Sequence, residues 1–199
     1  MLQVSGLSCA RGPRVLFRDL TFAAGRGMYV QITGSNGSGK TTLLRTLAGL
    51  SLPEAGTIRW TAGELAASRA YVGHAQGWKD TLSVTENLVL AWQLDAEPAV
   101  REAEAIAGAL ERVGLTRQRN LPVMRLSQGQ RKRLHLARLV RSTRPLWLLD
   151  EPSASLDAAG HDLLDALVSE HLAGGGTAVI ATHETLGIVS GSTQRVNIG

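Results

Sequence analysis

Eight residues, Gly34-Ser35-Asn36-Gly37-Ser38-Gly39-Lys40-Thr41, constrain this chain more than any other stretch. They fit the pattern G-x-x-x-x-G-K-[ST] without a mismatch, which requires a strand before the loop and a helix after it. Met28-Tyr29-Val30-Gln31-Ile32 is an apolar run that predicts the strand, and the segment from Thr41 to Ala48 predicts the helix. The glycines let the backbone curl so that successive N–H groups point at one centre. The helix N-terminus adds partial positive charge there. The stretch from Gly34 to Thr42 therefore predicts a nucleoside-triphosphate site. Lys40 would reach the β- and γ-phosphates, and the Thr41 hydroxyl would ligate Mg²⁺. A glycine-rich turn can match the pattern by accident, but the strand–loop–helix context argues against accident here.

A chain of 199 residues that is 44% hydrophobic is long enough to bury a sizeable core in one domain. It holds no apolar run long enough to span a bilayer. Met1-Leu2-Gln3-Val4-Ser5-Gly6 lacks the basic and apolar regions of a secretory leader. Cys9 is the one cysteine, so an intrachain disulfide is excluded and a reducing cytoplasm is expected. It is read as a small apolar filler in a strand. The net charge of +4 is compatible with nucleic acid, an anionic membrane or neither. The densest basic run, Arg131-Lys132-Arg133, is expected to be a solvated helix face.

Strands are expected over 2–8, 15–22, 57–60, 69–72, 146–149 and 177–181. From about Thr81 to Arg141 the pattern is mainly helical. The segment from Ala99 to Val113 is the clearest helix, with Gly114 as its stop. Another helix is expected from Ala158 to Leu172. Apolar strands alternating with helices predict an α/β fold with a mainly parallel sheet. The early strands form an added antiparallel layer, and the middle of the chain forms a helical insertion.

Two further motifs complete a site. The run Leu146-Trp147-Leu148-Leu149 ends in Asp150-Glu151, and ligand chemistry in α/β sheets gathers at the carboxyl ends of strands. Asp150 is placed to hold Mg²⁺, and Glu151 to polarise a water for attack on the γ-phosphate. In Leu126-Ser127-Gln128-Gly129-Gln130, Ser127 and Gln130 have capping-box spacing. Gly129 leaves that helix entry open to an anion. The chain thus has two helix N-termini suited to phosphate, more than one bound nucleotide obviously needs.

With these motifs the chain resembles the nucleotide-binding subunits of ATP-binding-cassette (ABC) transporters. Leu126 to Gln130 stands where the family carries its signature motif. Ser153-Ala154-Ser155-Leu156-Asp157 resembles its D-loop, and Ala181-Thr182-His183 its switch-histidine motif. The motifs occur in family order over nearly the whole chain. The resemblance implies an ABC-type P-loop NTPase over residues 1–199, with an antiparallel β-subdomain and a helical subdomain at about 77–142. It also implies ATP with Mg²⁺, and a head-to-tail homodimer that sandwiches two ATP molecules. Ser127, Gly129 and Gln130 of one chain would then meet the ATP held by the P-loop of the other. His183 would contact the γ-phosphate and help to orient Glu151.

Two positions depart from the family pattern. Where an aromatic residue often stacks on adenine, the chain has Arg11-Gly12. Arg11 either stacks its guanidinium on the base or is a plain surface arginine. Where a glutamine senses Mg²⁺ and links the site to the membrane subunit, ungapped counting lands on Ala75, with Gln76 one place late. Either the loop is re-registered onto Gln76 or Mg²⁺ sensing is weakened.

Within the family, several stretches are similar to the cytochrome c maturation (haem exporter) ATP-binding subunits. They are Arg14-Val15-Leu16-Phe17, Tyr71-Val72-Gly73-His74, Gly77-Trp78-Lys79, the run from Leu82 to Leu88, and the run from Pro145 to Pro152. Ser153 and Ala75 depart from that pattern. This likeness implies a peripheral ATPase on the cytoplasmic face of a bacterial inner membrane, bound to integral-membrane permease subunits. ATP hydrolysis would drive haem export or release of a haem-loaded chaperone. No direct haem ligation is expected: His74 is a loop or interface residue, and Trp78 an anchor for a partner helix. The alternatives are an ATPase subunit of another ABC exporter or importer, or a soluble ABC ATPase acting on nucleic acid. The second cassette, coiled-coil insertion or basic extension usual in the latter is missing, so no nucleic-acid partner is expected.

Overall fold

A computed structural model describes residues 1–61, 69–73, 77–95, 103–188 and 191–198. His74, Ala75 and Gln76 lie outside the described residues, as does the start of the Ala/Glu-rich helix expected from Ala99. In chain order the elements are β1 (Leu2–Arg11), β2 (Arg14–Ala24), β3 (Met28–Thr33), α1 (Lys40–Leu47), β4 (Ala55–Trp60), β5 (Arg69–Val72), α2 (Val84–Leu94), α3 (Ala103–Arg112), α4 (Gln128–Ala137), β6 (Leu146–Asp150), α5 (Ala158–Ala173), β7 (Thr177–Ala181) and β8 (Ser192–Asn197). Two compact units result. The first comprises Met1–His74, Arg144–Pro152 and Val168–Gly199, and the second Ala75–Thr143 and Ser153–Leu167.

The first unit holds both sheets. One has the order β2-β1-β4 with antiparallel pairing, the other β5-β6-β7-β3-β8 with parallel pairing throughout. This is the α/β plan expected, antiparallel layer included. All five residues of β6 and all five of β7 are buried, which is why they are continuous apolar runs. Val30, Ile32, Leu148 and Val179 join Leu43, Leu44 and Leu47 of α1 in one core. Cys9 sits in β1 within that core, its Sγ 3.6 Å from Thr46 Oγ1, and burial pushes its thiol pKa up. Phe17 is buried there too. Trp147 stacks on His171 with ring centroids 3.9 Å apart and an interplanar angle of 8°.

The second unit packs α2, α3 and α4 around Leu88, Trp92, Leu110, Val113 and Leu134. Ser83 and Glu86 close a capping box at the start of α2. The buried Asn87 side chain donates to the carbonyls of Lys79, Leu82 and Ser83 and accepts from Lys79 N–H at 2.8 Å, tying that loop to the helix. α3 ends at Arg112, and the chain turns at Gly114 (φ 71), with Leu115 N–H returning to Leu110 O at 2.8 Å.

Trp78 is half-buried; it packs onto this unit's own core and meets His135 edge-on, with centroids 5.4 Å apart. One expectation is corrected here. The basic run on α4 is not a solvated face. Lys132 is buried, Arg131 pairs with Asp80 at 3.2 Å, and Arg133 grips both oxygens of Asp157.

His135 and His171 make stability depend on pH. Burial, then Arg138 and Lys132, push His135 down to about 3. Burial also pushes His171 down to about 4. Both are neutral in the folded chain at pH 5, whereas the unfolded chain protonates them below about 6.5. The unfolded state then binds more protons, so stability falls as pH drops from about 6.5 toward 4. Urea unfolding at pH 7 and pH 5 should show a loss of about 2 kcal/mol per histidine. A flat profile between those pH values would refute their burial.

Candidate active site

β3 delivers the chain to Gly34, whose φ of 151° suits glycine. A Cβ at this position would run into the Ile198 carbonyl oxygen and lie 2.6 Å from Ser38 Oγ. Gly39 (φ 109°) turns the chain into α1, and a Cβ there would press on Leu16 at 3.0 Å. Lys40 is 7% exposed. Its ammonium donates to Gly34 O at 2.9 Å and Ser35 O at 3.2 Å, and lies 3.1 Å from His183 Nε2. An ammonium only donates, so Nε2 is the acceptor.

β6 carries Asp150 and Glu151 to the same place. The cleft has a volume of about 350 Å³. Arg11, Leu16, Asn36, Lys40, Thr41 and Glu151 are among its walls, with Gly37, Gly39, Thr42 and Asp150. Asp150 is 1% exposed, and among the described residues neither of its carboxylate oxygens has a hydrogen-bond partner. Ser38 Oγ is also buried without a partner among the described residues. Glu151 takes a left-handed φ of 49°, rare for a residue with a Cβ. Its N–H bonds Ala181 O at 2.9 Å, and its Oε1 lies 3.6 Å from His183 Nε2. P-loop, strand end and histidine are thus brought together.

The second unit has its own polar cleft, of about 420 Å³, at the N-terminus of α4. Ser127 Oγ accepts from Gln130 N–H at 3.2 Å, and Gln130 Oε1 accepts from Ser127 N–H at 3.0 Å. The expected capping box is therefore present, and it occupies the Gln130 amide oxygen. Gly129 lines this cleft beside Arg133, Ser155 and Asp157. Arg133 was not foreseen at this cleft. Its three-residue spacing from Gln130 on α4 is the signal that could have found it.

The sequence pattern of the ABC transporter family matches residues 17–154. The chain is 44% identical to the cytochrome c biogenesis ATP-binding export protein CcmA of Dechloromonas aromatica, over the full length of both. This chain belongs to the ABC transporter ATPase family, among the cytochrome c biogenesis ATP-binding proteins. The fold matches an ABC transporter ATP-binding protein from Pyrococcus furiosus, with a TM-score of 0.83 at 24% identity over 98% of this chain and 96% of that one. It also matches an ATP-binding cassette solved as a dimer with ADP and Pi, with a TM-score of 0.79 at 23% identity over 92% of this chain and 88% of that one.

As an ABC ATPase the chain binds and hydrolyses ATP. A hard divalent cation suits this ABC ATPase's P-loop cleft, because the buried, unpartnered Asp150 carboxylate supplies the oxygen donors such an ion prefers. Among the described residues no helix is long and apolar enough to cross a membrane. Arg11 does line the cleft, which places it where a nucleotide could meet it. Gln76 lies outside the described residues.

Proposed function

We propose that this ABC ATPase serves a membrane complex for cytochrome c biogenesis, coupling ATP hydrolysis to haem export or to release of a haem-loaded chaperone. The full-length likeness to the cytochrome c biogenesis export protein carries this reading. The partners would be integral-membrane permease subunits, and the site of action the cytoplasmic face of a bacterial inner membrane. The protein would form one ABC domain whose helical part spans about 77–142.

In the proposed mechanism the P-loop N–H groups and Lys40 hold the triphosphate. Thr41 and Asp150 would hold Mg²⁺, which when bound would supply charge neutralisation to the triphosphate. Glu151 takes the proton of the attacking water; once Lys40 turns from His183 to the triphosphate, His183 would carry its proton on Nε2 and keep that carboxylate and the γ-phosphate in register. The P-loop cleft is lined by the first unit alone and the α4 cleft by the second alone. Two copies arranged head to tail would set Ser127 and Gly129 of one against the ATP of the other. That accounts for the second anion-suited helix N-terminus.

The test is complementation. In a strain lacking its own cytochrome c biogenesis ATPase, the wild-type chain should restore haem-stained c-type cytochromes and co-purify with the permease. Restoration of another transport activity, with no gain in cytochromes, would assign the ATPase to a different complex.

A further inference from the structure

β3 carries an amide side chain at a buried position between two apolar ones. Gln31 is 4% exposed, between Val30 and Ile32 at 0%. Both ends of its amide are engaged. Nε2 donates to the Glu184 carbonyl at 2.9 Å, and Oε1 accepts from Arg195 Nε at 3.3 Å. Gln31 and Arg195 are register partners on β3 and β8. Their side chains therefore leave neighbouring strands on the same face.

Glu184 follows His183, on a segment without regular structure after β7. Hydrogen bonds on both sides of the histidine fasten that segment. Thr182 N–H donates to Ile32 O at 3.3 Å, Glu184 N–H donates to Thr182 Oγ1 at 3.1 Å, and Gln31 holds Glu184 O. The histidine they flank has Nε2 at 3.1 Å from Lys40 Nζ and 3.6 Å from Glu151 Oε1. A loop that must aim one ring nitrogen at two groups needs its backbone fixed on both sides of that residue.

We propose that Gln31 is a positioning residue for His183: its amide fixes the carbonyl that follows the histidine, and Arg195 orients the amide. The proposal rests on the reading of His183 as part of the hydrolytic site. It explains why an amide occupies this place in β3. A side chain without an N–H donor would remove this hydrogen bond to the Glu184 carbonyl.

Gln31→Glu tests it, since an ionised carboxylate still accepts from Arg195 but no longer donates to Glu184. The expected result is a fall in kcat of about tenfold with the KM for ATP within about twofold, as befits a misaimed catalytic group. In a His183→Ala background the same substitution should cost nothing further. Gln31→Leu and Arg195→Met extend the series, and circular dichroism selects the folded variants. An unchanged kcat in a folded Gln31→Glu protein overturns the proposal, as does an equal loss in the His183→Ala background or a rise in KM alone. If His183→Ala itself leaves turnover unchanged, the assigned role of His183 falls and the proposal with it. A slow His183→Ala enzyme beside a normal Gln31→Glu enzyme overturns the proposal alone.

Discussion

Glu151→Gln should lower ATP turnover by about two to four orders of magnitude while leaving ATP affinity within about twofold. Glutamine keeps the shape of the side chain but cannot take a proton from water. The backbone argues that this position is built for the task. A non-glycine residue is held at φ 49° directly after a fully buried strand. Such a conformation costs about 1–2 kcal/mol and persists only where the surroundings impose it. Here the N–H bond to Ala181 O does so, and it sets the carboxylate 3.6 Å from His183. A protein that binds ATP without hydrolysing it should accumulate as the closed dimer. Phosphate release measures the first effect and light scattering at saturating ATP the second. Normal turnover would remove Glu151 from the role of base. A monomer under those conditions would remove the head-to-tail sandwich.

Lys40→Ala should weaken ATP binding by about a hundredfold or more and abolish turnover. Lys40 is 7% exposed, and its Nζ already faces three acceptors, the Gly34 and Ser35 carbonyls and His183 Nε2. It is therefore a fixed cation at the lip of the phosphate loop, not a mobile surface charge. Alanine removes that charge and leaves the two loop carbonyls without this donor. Titration with a fluorescent nucleotide gives the affinity directly. Binding at the wild-type level would place the triphosphate elsewhere.

What was legible in the amino-acid order was whatever local chemistry dictates. The glycines at 34, 37 and 39 all adopt positive φ, so the residue type itself announces the turn. Ser127 and Gln130 close their capping box three residues apart, a relation that needs nothing distant. β8 was not anticipated, because Ser192-Thr193-Gln194-Arg195-Val196-Asn197 is an exposed edge strand with almost no apolar content. Its existence depends on pairing with β3 far away in the chain. The α4 basic run was misjudged for the same reason, since Arg131 finds Asp80 and Arg133 finds Asp157 only after folding. Gln31 looked like part of an apolar strand. Its partners, Glu184 and Arg195, lie more than 150 positions away.

The pairing of β3 has a consequence for how the protein is made. β3 ends at Thr33, yet its two neighbours in the sheet are β7, beginning at Thr177, and β8, beginning at Ser192. A ribosome releases the early residues first. The nucleotide cradle therefore gains its flanking strands only once β7 and β8 have been made. Ile198, whose carbonyl crowds Gly34, follows β8 directly. The capacity to bind ATP is thus conferred only when segments far downstream of the loop can close around it.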